Sequence, residues 1–127
     1  LAKMKPKAYI AGPMRGKPNF NFEAFDRAEK FLYTKGFTPI SPAAMDRLFE
    51  GWGPTPPEDL PVDSDLLAMC MRRDLIALLD LRREAGDCLY VLKGWENSRG
   101  AKAEIAVARF LDLPICFEMD LTFGVKV

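Results

Sequence analysis

Two carboxylates stand where helical spacing calls for apolar side chains. Over Asp65–Arg82, the residues Leu67, Met71, Leu78 and Leu81 share one helical face. Asp74 lies seven, three, four and seven positions from them, on that same face. Over Ser98–Leu111, the residues Ala101, Ala108 and Leu111 flank Glu104 at three, four and seven. An ionised carboxylate is costly to bury alone. Each therefore needs a specific hydrogen-bond partner or a wet cleft. In a chain without histidine, acid–base chemistry must fall to carboxylates such as these, or to Tyr, Lys or Cys. The plainer alternative is a helix-edge residue that reaches solvent and pairs with Arg72, Arg73 or Lys102, an arrangement worth little.

A second group of residues suits a phosphate. Ser98-Arg-Gly-Ala opens a helix, whose first N–H groups and partial positive charge favour an anion. Gly100 lets the backbone come close, and the Ser98 hydroxyl adds a donor. Arg15, next to Gly16 in the loop Gly12–Lys17, offers a planar fork to the same phosphate. Taken singly, Ser98 is equally a plain N-cap and Arg15 a solvated loop residue. Tyr9, in the first strand, is a core residue whose hydroxyl needs a partner. A carboxylate across the cleft would serve. Trp52 and Trp95 are candidates for stacking on an aromatic ring, with packing as the alternative.

Composition narrows the chemistry. The chain has 127 residues, 18 Lys+Arg, 18 Asp+Glu and no histidine. Serine or cysteine nucleophiles that rely on an imidazole base are excluded, as are zinc sites with imidazole ligands. Three scattered cysteines exclude a four-sulfur site. Zero formal net charge gives no general footprint for a nucleic-acid polymer or an anionic membrane. The longest apolar runs fall far short of a membrane span. An odd cysteine count without CxxC suits reduced thiols in the cytoplasm.

The elements that must position these residues read as one domain over 1–127. Strands are expected at Lys7–Ala11, Phe37–Ile40, Asp87–Leu92 and Pro114–Phe117, with a short final one at Leu121–Val127. Helices are expected from Asn19 or Asn21 to Lys35, over Ala43–Phe49, over Asp65–Arg82 with Ser64 as N-cap, and from Ser98 to Leu111. Glu50–Pro61, with four prolines and two glycines, is a loop. It reads as a lid or rim over a site, or as a surface excursion. The alternation implies an α/β fold: a Rossmann-like or flavodoxin-like parallel sheet of four to five strands with helices on both faces. Ligands of such sheets sit outside the carboxyl ends of the strands. That singles out the loops Gly12–Lys17 and Lys93–Ser98.

These pieces together resemble the nucleoside 2-deoxyribosyltransferase superfamily, which includes the nucleoside 5′-monophosphate N-glycosidases. The resemblance runs through Tyr9-Ile-Ala-Gly-Pro, Arg72-Arg-Asp-Leu, Asp87-Cys-Leu-Tyr-Val-Leu and Ser98-Arg-Gly-Ala-Lys-Ala-Glu. It covers about Tyr9 to Cys116, and the chain looks most like small domains carried by phages and prophages. It implies Glu104 as the nucleophile at the anomeric carbon, Asp74 assisting proton transfer near base and sugar, and Tyr9 orienting the nucleophile. Ser98 and Arg15 match the phosphate-binding positions of members that prefer 5′-monophosphates. Members that use free nucleosides carry an acidic residue where Ser98 stands. The implied activity is hydrolysis of the base–(deoxy)ribose 5-phosphate bond through a covalent glycosyl–glutamate intermediate. A 2-deoxyribosyltransferase, a catalytically silent nucleotide-binding domain and a purely structural role remain the alternatives. No cofactor or metal is called for. A nucleotide is the expected small-molecule partner, and the resemblance implies a homodimer or larger homo-oligomer. At its ordinary pKa of about 4.3, Glu104 would be ionised at neutral pH unless heavily desolvated. The bulky Lys93-Gly-Trp-Glu-Asn loop departs from the pattern, and Glu96 adds a carboxylate beside the expected phosphate.

Overall fold

A computed structural model describes residues 4–57 and 64–118. The expected final strand at 121–127 and the end of the proline-rich loop, 58–63, lie outside the described residues. Four parallel strands form the sheet: β1 (Lys7–Ala11), β2 (Thr38–Ile40), β3 (Cys88–Val91) and β4 (Ile115–Phe117). Four helices pack around it: α1 (Phe22–Thr34), α2 (Pro42–Glu50), α3 (Ser64–Leu79) and α4 (Arg99–Phe110).

The strand order is β2-β1-β3-β4, all parallel. Tyr9 lies opposite Ile40 on one side and Leu89 on the other. The chain steps outward from β1 to β2, then crosses back to β3 and continues to β4. Right-handed crossovers in opposite directions put α1 and α4 on opposite faces. The alternation of β1 follows: Ala8 and Ile10 pack with Phe22, Phe25, Ala28 and Leu32 of α1. Tyr9 and Ala11 pack with Leu78 of α3 and with Ile105 and Ala108 of α4. The strand order reverses between β1 and β3, the switch point where such sheets bind ligands.

Several local expectations need correction. α1 does start after Asn21, but Asn19, Phe20 and Asn21 all take left-handed backbone with φ of 51°, 51° and 61°. Asn21 does not cap with its side chain. Its amide instead donates to the Pro13 carbonyl at 3.0 Å and ties the helix start to the first loop. α3 ends at Leu79, not Arg82. The buried Asp87 carboxylate explains the early stop: it accepts from the Arg82 N–H and the Lys7 N–H, both at 2.8 Å. That draws residue 82 out of helical geometry and towards the base of β1. The face of α3 expected to be apolar is buried only at its C-terminal end, where Leu78 is fully enclosed. Met71 is 49 % exposed.

Candidate active site

Tyr9 sits inside the sheet with no solvent exposure, and its hydroxyl must find an acceptor. It donates to Oε2 of Glu104, reaching from β1 to the second turn of α4 in a short contact. α4 is placed to receive it. Ser98 caps it, accepting from the Ala101 N–H at 3.1 Å, and the buried Ala101, Ile105 and Ala108 bring this face onto the sheet. Glu104 therefore points inward, as its spacing predicts.

Asp74 joins from α3. Its Oδ1 accepts from both Nε and Nη2 of Arg73, at 3.0 and 2.7 Å. The same Nη2 donates to Oδ1 of Asp46 on α2 at 2.6 Å. One guanidinium thus bridges two carboxylates whose side chains are only 8 % and 17 % exposed. The pairing of Asp74 with Arg73 is the plain alternative raised above, yet it lies in the protein and not at a solvated edge.

Burial dominates the protonation of this cluster. It pushes Glu104 up to about 8, opposed by the Tyr9 hydrogen bond and assisted by the charge of Asp74. Asp74 is pushed by burial to about 6, with Arg73 pulling it down and Asp46 pushing it up. Tyr9 is raised well above 10 by burial, then by the charges of Glu104 and Asp74. Burial raises Asp46 as well, against Arg73. Asp74 therefore acts electrostatically on both Tyr9 and Glu104, which makes side chains of β1, α3 and α4 one candidate site. Glu104 meets the exception attached to its expected ionisation: it is heavily desolvated, and burial favours its protonated form.

The phosphate candidates occupy the neighbouring loops. Gly12 is required where β1 ends, because a Cβ there would stand 2.7 Å from Cδ1 of the buried Leu92. The loops after β1 and β3 adjoin: a Cβ at Gly94 would meet Pro13 at 3.3 Å and the Lys17 ammonium at 4.0 Å. Arg15 is exposed, and Gly16 and Gly100 have open space over their Cα atoms. The Ser98 oxygen is engaged as a cap, while its own proton remains free to donate. Glu96 is exposed and makes no ion pair among the described residues.

The two tryptophans part company. Trp52 packs on Phe22 and Phe20, at 6.2 and 6.3 Å between ring centroids, on the α1 face of the sheet. Arg47 fastens the same loop, donating to the Pro54 carbonyl at 2.6 Å while gripping Asp26 with both nitrogens. Residues 51–57 are thus an anchored rim, and Trp52 is not brought to Glu104. Trp95 packs on Phe117 at 5.5 Å, on the same face as Tyr9. A concavity of about 380 Å³ beside β2, lined by Glu29, Lys30, Tyr33, Thr34 and Pro39, gathers none of the site residues.

Asp46 and the double role of Arg73 were missed in the sequence. The signal is faint: Asp46 is the buried one of two acidic residues, with Glu50, one turn apart on a short helix. Among the described residues no group of three or more cysteine and carboxylate side chains is placed to hold a metal ion. No described helix is long and apolar enough to cross a membrane. No curated protein and no solved structure matches the chain. A family model described as a domain of unknown function (DUF4406) matches residues 6–117, and the chain belongs to that family.

Proposed function

We propose that this chain is a nucleoside 5′-monophosphate N-glycosidase that hydrolyses the bond between the base and the (deoxy)ribose 5-phosphate. The observation that carries the reading is the buried Tyr9–Glu104 hydrogen bond beside Asp74, assembled from three elements at the switch point of the sheet. The resemblance to nucleoside 2-deoxyribosyltransferases assigns roles to these same three residues.

The protonation pattern supports a specific sequence of events. Between about pH 6 and 8 the Glu104–Asp74 pair holds a single proton, resting on Glu104. The reactive arrangement has that proton on Asp74. Reaching it is uphill, because burial favours the proton on Glu104 more strongly than on Asp74. A Glu104 oxygen then bonds to C1′ as the C1′–N bond breaks. The electron pair leaves on the base nitrogen, and Asp74 supplies the proton the base takes up. Water next attacks C1′. Glu104 leaves as carboxylate, the sugar 5-phosphate is released, and Asp74 recovers a proton from the water. Arg15, Gly16, Ser98 and Gly100 hold the phosphate.

Incubation with a panel of ribo- and deoxyribonucleoside monophosphates, with free base as the readout, tests the proposal. No base from any member would sink it. A second free base added to the same reaction separates hydrolysis from base exchange.

The reading extends to assembly. Met69, Ile76 and Leu79 on the outer side of α3 are 61 %, 67 % and 57 % exposed, so this helix is apolar on both sides, as a helix buried between partners is. We infer that a second copy of the chain covers it. Light scattering on the wild type and on Ile76→Asp decides between dimer and monomer. Cys70, Cys88 and Cys116 are in no disulfide among the described residues, which suits a cytoplasmic setting.

A further inference from the structure

Asp74 does not hold its place alone. Its only hydrogen-bond donors among the described contacts belong to Arg73, and Arg73 is shared with Asp46 across the α2–α3 boundary. The remaining nitrogen of that guanidinium, Nη1, is buried with no partner. An unsatisfied buried donor is destabilising. The orientation of Arg73 is therefore fixed by the two carboxylates and is not the one that would satisfy all its own donors. Such a cost is more readily borne at a working site than in a core.

We propose that Asp46 is a positioning residue for Asp74: by holding Arg73 it fixes where the Asp74 carboxylate stands and how much positive charge it sees, and so governs the proton delivered to the departing base. This deepens the proposed function and rests on it for the last clause. Every group facing Asp74 enters the balance. Arg73 lies beside it on α3, Asp46 faces it from α2, Glu104 from α4 and Tyr9 from β1. Cys70, one turn earlier on α3, feels Asp46, Arg73, Glu50 and Asp74.

The two partners of this relay act on Asp74 with opposite signs. Arg73 lowers its proton affinity and Asp46 raises it. Asp46→Asn removes a negative charge and releases Arg73 wholly to Asp74, so the Asp74 midpoint falls. Arg73→Gln removes the counter-charge, so the midpoint rises.

The experiment follows the Asp74 carboxyl carbon by NMR through a pH titration, assigned with Asp74→Asn, in wild type and both variants. The expected result is displacement in opposite directions, each by about half a pH unit or more. No displacement, or displacement in the same direction, overturns the proposal. If Arg73→Gln does not fold, Arg73→Lys takes its place. It keeps the charge and loses the fork, so a smaller rise is expected and a fall overturns the proposal. The acid limb of base release should follow the NMR midpoints. A role confined to stability would move the urea midpoint of Asp46→Asn and leave these titrations alone. The titration needs no turnover. Opposite displacements in a chain that releases no base would keep the relay and reject the glycosidase.

Discussion

Replacing Glu104 by Gln should stabilise the protein, and only at the alkaline end of its range. In the wild type burial carries the carboxyl from 4.5 to about 8. Between those values the folded chain keeps a proton that the unfolded chain has lost. Folding stability then falls as pH rises, because the folded state binds more protons. The loss begins near the unfolded pKa and is complete above the folded one. At ~1.36 kcal/mol per unit, that interval sets a ceiling of about 5 kcal/mol. Water entry and local relaxation reduce such penalties, so about 2–3 kcal/mol is the working expectation. Glutamine keeps the shape of the neutral acid and an oxygen for the Tyr9 hydroxyl, and it cannot ionise. Thermal melts of Glu104→Gln and wild type should coincide near pH 4.5. They should separate by about 10 °C near pH 9, at about 4 °C per kcal/mol for a chain of this size. Base release should vanish in the same variant. A melting gap that stays flat from pH 4.5 to 9 would refute the desolvated carboxyl, and with it the shared-proton scheme.

Other outcomes follow from the same geometry. Tyr9→Phe removes the hydrogen bond that favours the Glu104 carboxylate, so the alkaline limb of the rate profile moves up. The maximal rate drops about tenfold for each unit by which the reactive proton arrangement becomes rarer. Arg15→Ala, on an exposed loop residue, should raise KM for nucleotides and leave the melting temperature alone. Its loss should shrink in high salt, where the wild-type contact is screened. Asp87→Ala orphans the Lys7 and Arg82 N–H groups. At about 1–3 kcal/mol for each unsatisfied group, urea denaturation should show a loss of several kcal/mol with unchanged titration of Asp74.

What was legible in the sequence is the part governed by local periodicity. Apolar runs, helical faces and caps located the four strands and the four α-helices, though not the 3-10 turns at Pro18–Asn21, Arg83–Ala85 and Trp95–Asn97, and the spacing of Glu104 and Asp74 turned both inward. Tyr9 needed only the rule that a buried phenol seeks an acceptor. Contacts between distant segments were not legible. Nothing near Asp46 announces an arginine 27 positions on, and nothing near Asp87 announces the Lys7 N–H 80 positions back. The left-handed run at Asn19–Asn21 was hidden for a related reason. Asn21 has the residue type of a cap, and only the tertiary position of the Pro13 carbonyl redirects its amide. The packing of Trp52 on Phe20 and Phe22 was not legible because the sheet has two faces and composition does not say which one a loop will cover. The ionisation of Glu104 stayed conditional in the sequence because a model-peptide pKa carries no information about burial.

The electrostatic layout of the site argues for the kind of molecule it suits. Asp46 and Asp74 share a single guanidinium, Glu104 feels the charge of Asp74, and even with one shared proton this group of side chains stays net negative. Hydrolysis of a glycosidic bond builds positive charge on the sugar ring. A buried negative cluster lowers that barrier most where water is excluded. The same cluster would repel a phosphate. Arg15, Lys17 and Lys93 lie instead in the two adjoining loops after β1 and β3, and Arg99 opens α4; together they outnumber Glu96 there, and the ammonium of Lys17 stands over Gly94. A ligand with a cation-forming ring at one end and an anion at the other matches this polarity in one orientation only. A nucleoside 5′-monophosphate has that form. A free nucleoside would leave the basic end unused, and a polyanionic strand would meet the acidic end with repulsion.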